Sequence, residues 1–470
     1  MVKYSFSFFV IACFVIALTS SCANIIPPGG GPIDSLPPIL VSSNPRDSAT
    51  NSTNNRITLS FSEFVEIQNA QENVIVSPLP NNTPIIDYKL RTVTIRLRDT
   101  LEQNTTYSIN FGNAIKDVNE GNVLKDFVYV FSTGSVIDTN SITGKVVLAE
   151  TGKIDSTLIV VLHRNMDDSA IAKEKPRYLA KLDGGGNFLF QNLPAGTFAM
   201  YAIPNEYSRR YEDSSNLFAF VDSPIITTDA NAPFLMYAYN FPKAEPRTPA
   251  RSSTAGRALP GAAAQDKTLR YSTSLETGGI HDILKPNIEL VFNRDIFRFD
   301  SNRVILTNKE FVALPEYHFS ADTSGNKFFI NYPWQAGQEY YLLIDQEAFQ
   351  DSAGVTLNRN DTIKISTKSN EDYGSVKVRF NNLDLQKNPV LQLVQNDKVV
   401  ESILLTQREW NRKLFPPGEY EMRILFDANK NGRWDAGSFF GEKRQPEVVR
   451  DLNIKLTIRG NWDNEKDINL

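Results

Sequence analysis

Ile57-Thr58-Leu59-Ser60-Phe61-Ser62 is the stretch that decides how this chain is read. Apolar and polar residues alternate strictly. An extended segment with this pattern has one face for a core and one for water. The same alternation recurs at Thr92-Val93-Thr94-Ile95-Arg96-Leu97 and at Tyr107-Ser108-Ile109-Asn110-Phe111. Turn-forming residues fall between these runs, at Asn81-Asn82 and Asn119-Glu120-Gly121-Asn122. Short strands at regular spacing over residues 39–134 predict a β-sandwich.

A second β-rich unit is expected over residues 139–243, starting at Ile142-Thr143-Gly144-Lys145-Val146. Its centre is Asp183-Gly184-Gly185-Gly186-Asn187-Phe188, followed by Pro194-Ala195-Gly196-Thr197-Phe198. A Gly-rich turn between β-formers predicts a hairpin. A phosphate cradle would need a helix start after the glycines, and none follows. Residues 244–267 change composition: Pro246, Pro249, Pro260 and many Ala and Ser leave too little apolar bulk for a core, so a linker is expected.

After the linker the pattern begins again. Ile288-Glu289-Leu290-Val291-Phe292 mirrors Ile57 to Phe61, and Phe328-Phe329-Ile330 mirrors the Val93 run. Tyr340 to Leu343 mirrors Tyr107 to Phe111, and Ala348 to Gly354 mirrors Ala114 to Gly121. Gly374-Ser375-Val376 corresponds to Gly144-Lys145-Val146, and Pro416-Pro417-Gly418-Glu419-Tyr420 to Pro194 through Phe198. The order is preserved, so an A–B–A′–B′ array is expected, with A′ over 268–369 and B′ over 370–470.

At the N-terminus, Lys3 precedes an apolar run from Phe6 to Leu18 that is too short to cross a bilayer, then Thr19-Ser20-Ser21-Cys22. This is a signal-peptide layout over residues 1–21. The small residues ending in Cys22 resemble the lipobox of bacterial lipoproteins, although Thr19 stands where that motif usually has Leu. The resemblance implies cleavage before Cys22 and a lipid on Cys22. Residues 22–38 contain Pro27-Pro28-Gly29-Gly30-Gly31-Pro32 and are expected to be a flexible tether.

Pro37-Pro38, Asn44-Pro45, the Ile57 to Glu63 run, Thr106-Tyr107, Asp117, Gly121-Asn122 and the closing Phe131-Ser132-Thr133-Gly134 resemble a bacterial Ig-like domain of the S-layer type. Thr143 to Val146 and Gly186-Asn187-Phe188 leading to Leu193-Pro194-Ala195-Gly196 resemble a transthyretin-like or carboxypeptidase-regulatory-like sandwich. The whole layout is similar to Ig-like lipoproteins of Bacteroidota. The fold class this implies is all-β: a tandem array of Ig-like and transthyretin-like β-sandwiches behind a lipoprotein signal peptide. Such sandwiches host many functions, so the resemblance speaks to architecture.

The two cysteines are Cys13, in the segment expected to be removed, and Cys22. A mature chain of this kind has no internal disulfide, Cys nucleophile, thiolate zinc site or iron–sulfur cluster. His163, His281 and His318 have no spacing suited to a metal pair or a Ser/His/Asp set. A net charge of −5 argues against nucleic acid as a partner. No pair among the 54 acids is singled out for glycoside hydrolysis. No unassigned stretch is large enough for a catalytic domain.

The strongest candidate site is Asp427-Ala428-Asn429-Lys430-Asn431-Gly432-Arg433-Trp434-Asp435. Asp427, Asn429, Asn431, the backbone carbonyl of Arg433 and Asp435 place oxygen donors at alternate positions, which suits a structural calcium ion. The twelfth position is Ser438 where a bidentate Glu is expected, leaving Glu442 or a residue from elsewhere to complete the shell. The same residues also read as an Asn/Gly turn held by side-chain-to-backbone hydrogen bonds. Asp117-Val118-Asn119-Glu120-Gly121-Asn122 is a shorter version, read as a structural loop. Asp-Ser/Thr-apolar triplets, at Asp47, Asp99, Asp168, Asp351 and Asp361, resemble an O-glycosylation pattern of exported Bacteroidota proteins.

The function expected from these features is a non-enzymatic, lipid-anchored interaction scaffold at the outer membrane, with an envelope protein as partner, accessory to outer-membrane protein assembly. The alternative is a surface glycan-binding or adhesion protein, which exposed clusters of Trp or Tyr on a non-core face would favour.

Overall fold

A computed structural model of the chain describes residues 34–212, 216–240 and 268–470. The expected signal peptide, Cys22, most of the tether and the linker over 244–267 lie outside the described residues. The described chain is nearly all-β and forms a succession of β-sandwiches.

In the first sandwich one sheet runs in the order Leu40–Asn44, Arg56–Phe61, Thr92–Arg96, Ile85–Lys89. The facing sheet runs Ile75–Ser77, Thr106–Gly112, Phe127–Ser132. Ile57 opposes Ile95 and Leu59 opposes Val93 in an antiparallel ladder. Ile57, Leu59, Val93, Ile95, Ile109 and Phe131 all enter one core. The alternation read from Ile57 to Phe61 is thus the pleat of a one-sided strand.

The second sandwich pairs Asn140–Leu148 antiparallel with Asn187–Leu193 and parallel with Phe234–Ala238. Its other sheet runs Tyr178–Lys181, Leu158–His163, Thr197–Pro204, Ala219–Phe220. The Gly184 to Gly186 turn departs from the hairpin expectation. Asp183 N–H donates to the Asn187 carbonyl at 2.9 Å, closing the turn locally. The strands on either side, however, belong to opposite sheets. The chain crosses the core there, because Ala180 and Phe188 must both face inward from different layers.

Beyond residue 268 the strand orders repeat. Tyr271–Thr273, Asn287–Phe292, Lys327–Asn331, His318–Ala321 reproduces the order of the first sheet. Gly374–Asn381 pairs antiparallel with Glu409–Phe415 and parallel with Asp463–Asn469, as Asn140–Leu148 does with its neighbours. The corresponding glycines are alike in their packing. A Cβ on Gly144 would collide with the Phe234 carbonyl, and one on Gly374 with the Arg459 carbonyl. Close backbone approach accounts for Gly at both positions.

Two strands break the one-sided pattern, Leu158–His163 and Pro389–Gln395. Every residue of Leu158-Ile159-Val160-Val161-Leu162-His163 is buried. Leu158, Val160 and Leu162 fill the second sandwich. Ile159 and Val161 point the other way, into a cluster with Tyr201, Phe218, Phe220, Tyr239 and Phe439. Phe439 comes from the C-terminal sandwich, on the excursion between strands Gly418–Phe426 and Val448–Ile458. Its ring centroid lies 5.1 Å from Phe218 and from Phe220, and 5.5 Å from Tyr201. Lys443 Nζ reaches Asp168 Oδ1 at 2.6 Å, and Gln445 Nε2 reaches Asp222 Oδ1 at 2.9 Å. Val449 N–H donates to the Ala149 carbonyl at 2.8 Å. The second and fourth sandwiches are therefore docked, with an apolar centre and a polar rim.

Phe439→Ala should cost about 3–5 kcal/mol of the stability that couples these two sandwiches. Guanidinium unfolding should then split the shared transition of the second and C-terminal sandwiches into two. His163 borders the same interface, edge-on to Tyr201 at 5.8 Å, and burial pushes its imidazole down to about 4. The folded state keeps it neutral while the unfolded chain takes a proton near pH ~6.5. Stability should thus fall as pH drops from that value toward 4, and His163→Phe should flatten this part of the pH–stability curve.

Candidate functional site

The Asp427 loop begins where the strand Gly418–Phe426 ends. Asp427 is buried, and both its carboxylate oxygens accept backbone N–H groups: Oδ1 from Lys430 at 2.7 Å and Asn431 at 3.2 Å, Oδ2 from Gly432 at 2.6 Å. The fold of the loop requires left-handed backbone at Lys430 and Gly432, with φ of 63° and 76°. Asn431 Oδ1 accepts from Arg433 N–H at 2.7 Å. The amides of Asn429 and Asn431 donate to Asp435 Oδ2 at 2.7 and 2.6 Å.

Glu447 completes this network and was missed in the sequence, because it lies twelve residues beyond Asp435. Its Oε1 accepts from Ala428 N–H at 2.8 Å and its Oε2 from Asp435 N–H at 3.1 Å. Its carbonyl accepts from Trp434 Nε1 at 2.7 Å. Burial, with the neighbouring Asp427 carboxylate, holds Glu447 above the usual carboxylate range. Glu442 is exposed, and Ser438 pairs its backbone with Arg444. The oxygen-donor set suits a hard cation. As arranged, the loop closes on its own hydrogen bonds. Among the described residues no three His, Cys, Asp or Glu side chains converge to hold a metal ion. What the loop does structurally is to present Trp434 and Phe439 to the second sandwich.

Asp117 is built in the same way. It accepts N–H from Glu120 at 2.6 Å, Gly121 at 3.0 Å and Asn122 at 2.6 Å. Burial alone would raise it, but these donors outweigh burial and hold the carboxyl below its ordinary value.

A groove of about 1100 Å³ lies between the first and second sandwiches. Ser77, Ser108 and Asn110 line one wall, and Leu189, Gln191 and Leu235 line the other. Lys181 lies in the groove, with Nζ 3.2 Å from Asn73 Oδ1, and burial pushes its ammonium below its ordinary value. Further contacts join the two walls. Leu79 N–H donates to the Arg177 carbonyl at 2.8 Å, and Arg177 forks onto Glu102 with both N···O distances 2.6 Å. The carboxylates of the lining are Asp126 and Asp183. Asp183 is engaged by Gly185 and Asn187 of its own turn.

The other sequence candidates are dispersed. Cys22 lies outside the described residues. Trp334 is in the third core, Trp434 packs beneath its loop and Trp410 is half-buried. Trp462 is exposed, with the Arg459 guanidinium 5.5 Å over its ring. His163 and His281 are buried in different sandwiches, and His318 is exposed.

Residues 34–133 match the family profile of the bacterial Ig-like domain. No curated protein matches the chain. Among solved structures, the chain is similar to the TIE protein of Bacillus anthracis at 11% identity, covering 94% of this chain and 76% of that one, with a TM-score of 0.16. The major pilin subunit BcpA of Bacillus cereus aligns at 11% identity over 71% of this chain and 99% of its own, with a TM-score of 0.17. The first sandwich is thus an Ig-like domain by its sequence match.

Two measurements check these sites. Asp427→Ala strands three backbone donors and should destabilise the chain by about 1–3 kcal/mol in thermal or denaturant unfolding, equally in calcium and in chelator. Calcium in this loop is a proposal of the donor pattern alone. A calcium-dependent rise in Tm, lost in Asp427→Ala and Glu447→Gln, would assign the donors to an ion. At the groove, Arg177 holds the Glu102 carboxyl below its usual range. Glu102→Gln should cost about 1 kcal/mol at neutral pH. That difference is present above the unfolded carboxylate pKa and should vanish as pH falls through the depressed folded value.

Proposed function

We propose that the chain is a non-enzymatic, lipid-anchored scaffold of the outer membrane. Its alternating Ig-like and transthyretin-like sandwiches hold a binding groove away from the anchor at Cys22. The observation that carries this reading is the groove between the first two sandwiches. Its lining includes Asn110, Leu189, Gln191 and Leu235, exposed side chains on the outer faces of sheets whose inner faces are packed, and these are left for a partner. A protein of the envelope is the partner this suits, through the exposed Leu189 and Leu235 and the hydrogen-bonding side chains between them. An accessory role in outer-membrane protein assembly is the narrowest form of the proposal.

Glycan binding is the second reading. Hydroxyl and amide side chains, Ser77, Ser108, Asn110 and Gln191, recur in the groove lining and match the donors and acceptors of a sugar.

In-cell crosslinking of the tagged full chain, read by mass spectrometry, separates the two. Enrichment of a defined envelope protein, lost in Leu189→Arg/Leu235→Arg, is the expected result. Enrichment no greater than that of a tethered control lipoprotein would sink the scaffold reading. Retention on a glycan array, lost in the same variant, would then establish the second.

A further inference from the structure

Six of the large apolar side chains left exposed on the first sandwich gather at one end. Leu36, Ile39 and Val41 lie on the entering chain, and Phe64, Leu90 and Val118 lie on loops beside it, each between 43 and 68% exposed. Backbone hydrogen bonds bring these segments together. Val65 N–H donates to the Leu90 carbonyl at 2.9 Å, Val118 N–H to the Phe64 carbonyl at 3.0 Å, and Ser62 N–H to the Ile39 carbonyl at 2.9 Å. Asn122 Nδ2 donates to the Asp34 carbonyl at 3.0 Å, so the first described residue lies at this same end. The strand Phe127–Ser132 starts here, with Phe127 6.0 Å from Phe61, and runs away toward the second sandwich.

Single exposed apolar residues are ordinary, whereas six gathered around one chain entrance mark an interaction face. Eleven residues, 23–33, separate Cys22 from Asp34. Fully extended, that chain reaches at most about 40 Å. A lipid on Cys22 would keep this end at high local concentration near a bilayer. Apolar side chains on loop tips suit burial at the boundary between headgroups and acyl chains. The charges select among lipids. Asp34, Glu63 and Glu120 stand around the face, and burial followed by the Asp34 and Asp117 charges pushes Glu63 up. Arg91 sits 5.5 Å over the Phe64 ring. Lys89 and Arg91 flank Leu90 at the tip, so the face presents both signs of charge, as a zwitterionic headgroup does.

We propose that this end of the first sandwich rests on the lipid surface, with Phe64, Leu90 and Val118 in contact with zwitterionic lipid. The inference rests on the reading of Cys22 as the lipid anchor. It adds a second contact that fixes how the groove is presented.

The test uses the mature full chain carrying Cys22→Ser, sedimented with phosphatidylethanolamine–phosphatidylcholine vesicles. Association should fall about tenfold or more in Phe64→Ser/Leu90→Ser/Val118→Ser and stay within about twofold in Phe297→Ser/Phe311→Ser, a control at exposed residues of the third sandwich. Equal association of the triple variant and its parent, or no association of the parent, overturns the proposal. Intact mass of the native chain reads the anchor separately: an unmodified Cys22 removes the anchor reading, whatever the vesicles show.

Discussion

The burial of Phe439 against the second sandwich is the interaction on which the rest of the array depends. Without it, the outer face carrying Ile159, Val161, Tyr201 and Phe218 would be covered only in part, by Ile171 and Tyr211 of the same sandwich. Adjacent β-sandwiches joined only by connecting segments would be independent bodies. The docked excursion converts two of them into one unit, and its centre of stacked and edge-on rings contributes both apolar area and ring–ring attraction. The rim pairs, Lys443 with Asp168 and Lys153 with Asp397, have side chains 40% exposed or more, so they set register more than strength.

The Asp427 loop follows from this constraint. A chain leaving the strand at Phe426 must turn sharply, carry two aromatic residues outward and return at Val448. Asp427 caps the turn from within, and Glu447 ties its two ends together. An alternation of Asp and Asn with one Gly is therefore required by the turn itself. Ion ligation draws on the same residue types, which is why one sequence supports both readings.

The groove depends on a different junction. Arg177 and the Leu79–Arg177 backbone bond fix the first sandwich against the second. Asn110 and Gln191 stay accessible on faces opposite the packed cores, whereas Ser108 is buried. The Lys181–Asn73 and Lys175–Asn81 hydrogen bonds reinforce the same junction.

Local pattern was enough to read most strands. Ile57 to Phe61, Thr92 to Leu97 and Ile288 to Phe292 alternate because each has a wet face and a dry face, and the pleat enforces a period of two. The repeat was legible for the same reason, down to Gly144 and Gly374, where a neighbouring carbonyl leaves no room for a Cβ. The cation-loop pattern at Asp427 was visible, whereas its partner Glu447 was not, since nothing local links residues so far apart. The crossing at Gly184 to Gly186 was misread as a hairpin, because a tight turn has the same residues whether its strands pair or part. The unbroken apolar run Leu158 to Leu162 did carry a signal, for a strand apolar on both faces must be covered twice. Sequence thus determined which segments are strands and which faces are dry. Only the tertiary structure decided what covers the second dry face, because Phe439 meets Ile159 and Val161 across nearly three hundred residues of chain that no local pattern spans.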